Sequence, residues 1–146
     1  MSDQAISIKM SGFKEFVKAI DKGNQQAKNL YLRALDKSVK EGKAIMRKTA
    51  PYDTGKLRRS IDTKVDTAKL SGRIFTAEPY APYLEFGTSS HAINGPVKIK
   101  GNWVYIKDHP GTKKQPFVEP TKDALKPLAM HNFKTAIDKY LQIIAK

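Results

Sequence analysis

Apolar and polar positions alternate over Ala5-Ile6-Ser7-Ile8-Lys9-Met10, the period-two pattern of a half-buried strand. Ser11-Gly12 breaks that pattern. Phe13, Phe16, Val17 and Ile20 then share one face of a short helix, closed by the joint Asp21-Lys22-Gly23-Asn24. From Gln25 to Thr49 the period changes decisively. Ala27, Leu30, Tyr31, Ala34, Leu35, Ser38, Gly42, Ile45, Met46 and Thr49 recur at three- and four-residue steps and form a single apolar stripe. Lys28, Arg33, Lys37, Lys40, Lys43, Arg47 and Lys48 fall largely off it. Such a helix spans about 37 Å, long enough to be the spine of a small fold. Pro51 ends it, because a proline pushes the residue before it out of helical geometry.

Ile61 to Thr67 and Gly72 to Ala77 read as antiparallel strands joined around Ala68-Lys69-Leu70-Ser71. Val97-Lys98-Ile99-Lys100 and Trp103-Val104-Tyr105-Ile106 flank Gly101-Asn102, a dipeptide suited to a two-residue hairpin turn. The small, polar approach from Gly87 to Gly95 reads as a mobile loop. Pro116 and Pro120 bracket an extended bend. Leu125, Leu128, Ala129, Phe133, Ala136, Ile137, Tyr140, Leu141 and Ile144 define a C-terminal helix with Pro127 in its first turns. The pattern predicts one α+β domain over residues 1–146. A small antiparallel sheet of four to five strands packs against a long central helix and a C-terminal helix, with a mobile loop and hairpin inserted at 87–114.

Composition adds charge. The chain of 146 residues carries a formal net charge of +13 and has no cysteine, so disulfide and thiolate-metal chemistry is excluded. Cations outnumber acids over Lys40–Arg59 and again over Asn94–Lys114. A basic excess of this size points to a polyanionic neighbour or to a solvated, lysine-rich surface. The start, Met1-Ser2-Asp3-Gln4, lacks the basic and apolar regions of a signal peptide, and no apolar run reaches about 18 residues, so a soluble, non-secreted protein without membrane partners is expected. His91, His109 and His131 are scattered without metal-ligand spacing. Asp62, Asp66, Glu78 and Glu85 show no spacing that would make a catalytic pair, and phosphate-binding glycine loops are absent. Neither enzymatic activity nor a cofactor is expected.

Two short constellations stand out. In Ala50-Pro51-Tyr52-Asp53-Thr54-Gly55-Lys56-Leu57-Arg58-Arg59-Ser60-Ile61 a helix stop is followed by capping oxygens on Asp53 and Thr54, and by Gly55, which tolerates positive φ. Leu57 and Ile61 are expected to be buried while Lys56, Arg58 and Arg59 project. This is either an ordinary helix-to-strand connection or a functional corner. In Glu78-Pro79-Tyr80-Ala81-Pro82-Tyr83-Leu84-Glu85-Phe86-Gly87-Thr88, aromatics and prolines make a stiff apolar platform. It reads equally as a core-capping turn or as an interface.

The corner resembles the signature P-x-D-T-G-x-L-x-x-S-I of the small tail-component proteins of long-tailed bacteriophages. Tyr80–Thr88 resembles their Y-A-x-Y-x-E-x-G-T motif, and Gln115-Pro116-Phe117-Val118-Glu119-Pro120 resembles their P-F-x-x-P element. Order and spacing fit along nearly the whole chain, although Ser89–Lys114 is longer and more basic than that pattern requires. The resemblance implies a structural protein of the virion neck or tail end, made in the host cytoplasm. It implies a homo-oligomeric ring of six or twelve copies, between head-closure or connector proteins and the tail tube, that completes or terminates the tail around the DNA channel. The candidate assembly residues are Pro51, Asp53, Thr54, Gly55, Leu57, Arg58, Ser60, Tyr80, Tyr83, Glu85, Phe86, Gly87, Thr88, Pro116 and Phe117. An ion pair between Glu85 and Arg58, within or between subunits, is expected. Lys56, Arg59, Lys98, Lys100, Lys113 and Lys114 are the candidates for non-specific contact with double-stranded DNA. The competing class is a small basic nucleic-acid-binding protein, which requires a reading helix or ribbon.

Overall fold

The computed structural model describes residues 6, 10–52, 55–87, 91–99, 102–109 and 113–145, with the backbone alone for 91–99 and 102–109. The elements are α1 (Phe13–Asp21), α2 (Gln25–Thr49), α3 (Lys56–Ser60), β1 (Asp62–Asp66), β2 (Ser71–Phe75), α4 (Ala81–Phe86), β3 (His91–Ile99), β4 (Asn102–His109) and α5 (Val118–Ile144). The strand expected at Ala5–Met10 lies largely outside the described residues.

The 25-residue helix α2 is the spine, as its stripe predicts. Asn24 opens it, its side-chain oxygen accepting the Ala27 N–H at 3.0 Å, an ordinary N-cap. Ala50 closes it in extended geometry (φ −60°, ψ 136°), as the following Pro51 requires. The stripe serves two separate clusters. Near its start, Ala27 and Ala34 pack with Phe16, Ile20, Phe133, Ala136 and Ile137. There the Tyr31 and Phe133 rings sit 5.0 Å apart edge to face, and Phe13 meets Phe133 at 6.0 Å. Near its end, Met46 and Ala50 pack with Leu57, Ile61, Ala81 and Phe117.

α5 runs antiparallel along α2. Asn132 donates from Nδ2 to Ser38 Oγ and to Glu41 Oε1, each at 3.1 Å, which fixes the register of the two helices. One turn further along α2, Gly42 is pressed between β2 and α5. A Cβ there would lie 2.7 Å from Leu125 Cδ2 and closer still to Ile74 Cδ1. The absence of a side chain is therefore what lets the spine touch both neighbours.

The β-structure differs from the expected single sheet of four to five strands. The described strands form two separate two-stranded sheets, β1 with β2 and β3 with β4, both antiparallel. β1–β2 packs on α2, with Asp62 opposite Phe75 and Asp66 opposite Ser71. Its turn is held by Asp66 Oδ1, which accepts the Ala68 and Lys69 N–H groups at 3.0 Å. Leu70 takes a left-handed φ of 55°, and Tyr31 OH donates to its carbonyl at 3.1 Å. At the other end the Thr63 N–H, and then the Lys43 ammonium, hold the exposed Asp62 carboxyl below its ordinary range. β3–β4 pairs within itself and starts at His91, so His91–Gly95 is strand where a loop was expected. Of the expected turn Gly101-Asn102, Asn102 instead opens β4 and pairs with Ile99, and Gly101 lies outside the described residues.

α5 begins at Val118, two turns before the expected start near Leu125, and Pro120 lies inside it rather than in an extended bend. Pro127 sits mid-helix rather than in the first turns. The reason for the early start comes from α4, far back in the chain.

Candidate assembly surface

Each of the three sequence motifs becomes one wall of a single corner. After Pro51 the chain turns through Gly55, whose φ of 81° is left-handed, into the short helix α3. A Cβ on Gly55 would meet Arg59 Nη1 at 2.8 Å and Tyr52 Cε2 at 2.9 Å, ends of exposed side chains that can shift, so it is the left-handed φ that demands glycine. Asp53 and Thr54, the expected caps, lie outside the described residues. Leu57 and Ile61 are buried, as expected. Ser60 Oγ donates to the Leu57 carbonyl at 2.6 Å and accepts from the Thr76 hydroxyl at 2.6 Å, tying α3 to the end of the first hairpin.

Two arginines brace the turn by donating to backbone carbonyls. Arg47 Nη2 reaches Ile61 O at 3.0 Å and Arg58 Nε reaches Ala50 O at 2.9 Å. The Arg58 guanidinium also lies over the Tyr52 ring, 5.1 Å from its centroid. Arg58 is thus half-buried and committed to the corner rather than projecting. Lys56 is exposed and pairs with Glu78 at 3.6 Å. Arg59 is exposed as well.

The platform is built on helix α4. Pro82 stands at its second position, where a missing N–H is harmless, and Gly87 ends it at φ 72°. Glu85 points inward and is 3% exposed. Its Oε2 accepts the N–H groups of Phe117 at 2.7 Å and Val118 at 2.9 Å, and its Oε1 accepts that of Glu119 at 3.0 Å. A helix leaves its first four N–H groups without internal partners. In α5 the first three are taken by this carboxylate, and the fourth position is Pro120, which has none. The negative charge also faces the positive end of the helix dipole. Phe117 supplies no side-chain cap itself, so α5 starts where a residue 32 positions earlier caps it. The Glu85–Arg58 ion pair is therefore not formed within the subunit: both carboxylate oxygens are used on α5, and Arg58 is turned toward Ala50 and Tyr52.

The third motif completes the corner. The Gln115 N–H donates to Leu84 O at 2.7 Å, Pro116 is exposed, and Phe117 is fully buried. Between the walls lies a cavity of about 410 Å³, bounded by Pro51, Tyr52, Gly55, Leu57, Tyr80 and Leu84, with Lys56 and Gln115 at its edge. Of these lining residues Tyr52 is 67% exposed and Tyr80 is exposed too, while on α4 Tyr83 and Phe86 are 56% and 54% exposed.

The candidate residues therefore divide by burial. Leu57, Glu85 and Phe117 are interior and hold the corner together, with Ser60 half-buried beside them. Pro51, Tyr80, Tyr83, Phe86, Gly87 and Pro116 reach its surface. Tyr52 and Leu84 belong to the same surface, although neither stood among the expected residues; their position inside the motifs is the signal that would have found them. Thr88 and Lys100 lie outside the described residues, as does the Lys98 side chain. Lys113 and Lys114 are exposed on the segment leading into α5. Among the described residues there is no group of His, Asp and Glu placed to hold a metal ion, and no helix long and apolar enough to cross a membrane.

Neither a curated protein nor a solved structure matches the chain. A family model described as "Bacteriophage HK97-gp10, putative tail-component" matches residues 14–87, half of the sequence. The match runs from α1 through the corner and platform to Gly87, and it ends before the β3–β4 hairpin and the Gln115–Pro120 element. With its corner and platform inside that match, the chain belongs to the HK97-gp10-like family of bacteriophage tail components.

Proposed function

We propose that this protein is a structural subunit of the phage neck or tail end. Copies of it form a closed ring, six or twelve in number, that joins head to tail and completes the tail around the DNA channel. Its neighbours are the head-closure or connector proteins on one side and the tail-tube proteins on the other. It acts in the virion after assembly in the host cytoplasm. The observation that carries the reading is the convergence of three motifs on one corner that leaves Tyr52 and Tyr80 exposed at a cavity, and Tyr83 and Phe86 exposed on the adjoining helix α4. Exposed aromatics grouped on a stiff frame are what an interface core is made of, because they bring large area at low side-chain entropy. A patch on one end of the subunit that meets a different surface of the next copy gives a head-to-tail contact, and such contacts close into rings.

The test is complementation with a Tyr83→Ser, Phe86→Ser variant. Both side chains are more than half exposed, so circular dichroism and the melting temperature of the purified subunit stay at wild-type values. Loss of two exposed aromatic anchors, each worth about 2 kcal/mol or more, leaves particles whose heads and tails are not joined, visible by negative-stain electron microscopy. Full complementation by a folded variant overturns the assignment of this surface.

A further inference from the structure

The long helices α2 and α5 make a second concave feature, at the opposite end of the pair from the aromatic corner. It is a groove of about 210 Å³ with Leu30, Ala34 and Ala136 as its apolar floor. Arg33 and Lys37 stand on the α2 wall, His131 and Lys139 on the α5 wall, with Asn132 and Thr135 between. The small side chains of Ala34 and Ala136 leave the hollow that brings the cationic walls toward each other. Arg33, Lys37, His131 and Lys139 are all exposed.

The acids near this groove are turned elsewhere. Glu41 Oε1 accepts from Asn132 Nδ2 at 3.1 Å, and Asp36 pairs with Lys40 at 2.8 Å. Lys43 and Lys56 likewise have acidic partners, in Asp62 and Glu78. Among the described residues, Arg33, Lys37, His131 and Lys139 have no carboxylate partner. The cations Arg33, Lys37 and Lys139 around a hollow with an apolar floor focus their field into it.

We infer that this groove binds the phosphate backbone of double-stranded DNA. Arg33 and Lys37 are separated by about 6 Å along α2, close to two axial phosphate steps of about 3.4 Å each on one strand. Arginine and lysine contact phosphate without reading sequence, and the chain's net charge of +13 favours the approach of a polyanion to any face of it. The site belongs to the single subunit and needs no ring, so it stands or falls separately from the proposed assembly.

The experiment measures binding of the purified full-length protein to a fluorescein-labelled duplex of about 20 base pairs, by anisotropy over a series of salt concentrations. Lys37→Glu with Lys139→Glu is the groove variant. Lys48→Glu with Lys126→Glu is the control, with the same charge change at exposed positions on the same two helices but toward the other end. The groove variant loses at least about tenfold in affinity, and its slope of log K against log salt falls by about 2. The control loses less than about threefold. Lys37→Gln with Lys139→Gln follows the same direction with a smaller loss and guards against effects of the introduced acids. Equal losses in groove and control variants overturn the inference, since diffuse charge then explains the binding. Equally effective competition by poly-glutamate at the same charge concentration also overturns it, in favour of an acidic protein segment as the occupant.

Discussion

Replacing Glu85 by alanine removes one carboxylate and leaves three N–H groups at the start of α5 without acceptors. All three bonds are short, 2.7 to 3.0 Å, and the residue is 3% exposed, so water reaches the gap poorly. A hydrogen bond to a charged group contributes about 1.5–3 kcal/mol, and an orphaned buried donor costs about 1–3 kcal/mol. The three bonds share one anion and are not additive. The N–H groups of Val118 and Glu119 also recover some water, since Val118 is half-buried and Glu119 exposed. Counting the Phe117 bond in full and the other two at half weight gives a destabilisation of about 3–6 kcal/mol. For a chain of this size that lowers the melting temperature by about 10–20 °C.

Glu85→Gln keeps one carbonyl oxygen. With it in the Oε2 position the Phe117 and Val118 bonds survive while the amide nitrogen faces the Glu119 N–H, so its loss is about half that of alanine. Urea unfolding followed by circular dichroism gives both values by linear extrapolation, and hydrogen exchange localises the effect to the amides of 117–119. A Glu85→Ala protein within about 0.5 kcal/mol of wild type, or one whose Phe117–Glu119 amides keep their protection, refutes the cap.

Gly42→Ala sets two effects of opposite sign against each other. Alanine gains about 1 kcal/mol in helix propensity, but its methyl must displace Ile74 and Leu125, at about 1–3 kcal/mol for overpacking. A net loss of about 1 kcal/mol is expected, and a more stable variant shows that α2 does not sit tightly between β2 and α5. Burial pushes the Tyr31 hydroxyl above its ordinary value. Its folded pKa exceeds the unfolded one, so the stability linked to it is fully present below about pH 10 and is lost as pH rises through the folded value. Wild type therefore loses more melting temperature on going from neutral to strongly alkaline pH than Tyr31→Phe does. Identical losses in the two proteins remove Tyr31 as the cause.

The sequence by itself determined the local part of this protein. The bounds of α2 follow from an apolar stripe, from the capping oxygen of Asn24 and from the stop at Pro51, all short-range effects within a turn or two of the residue concerned. The left-handed turn at Gly55 and the burial of Leu57 and Ile61 follow in the same way, and the ordered motifs carried the family. Tertiary structure decided whatever depends on a partner distant in the chain. The start of α5 is set by Glu85, and no pattern around Phe117 announces it. The pairing of strands into two small sheets rather than one depends on which edges meet. Glu85 and Arg58 carry opposite charges and looked like partners. Each found a nearer backbone group to satisfy instead: α5 for the carboxylate, the end of α2 for the guanidinium. The basic groove is of the same kind, since Arg33, Lys37, His131 and Lys139 become one feature only when α2 and α5 lie side by side. Local rules act through bonds and neighbouring turns, whereas caps, grooves and sheet edges are contacts between distant segments that come into being only when the chain folds.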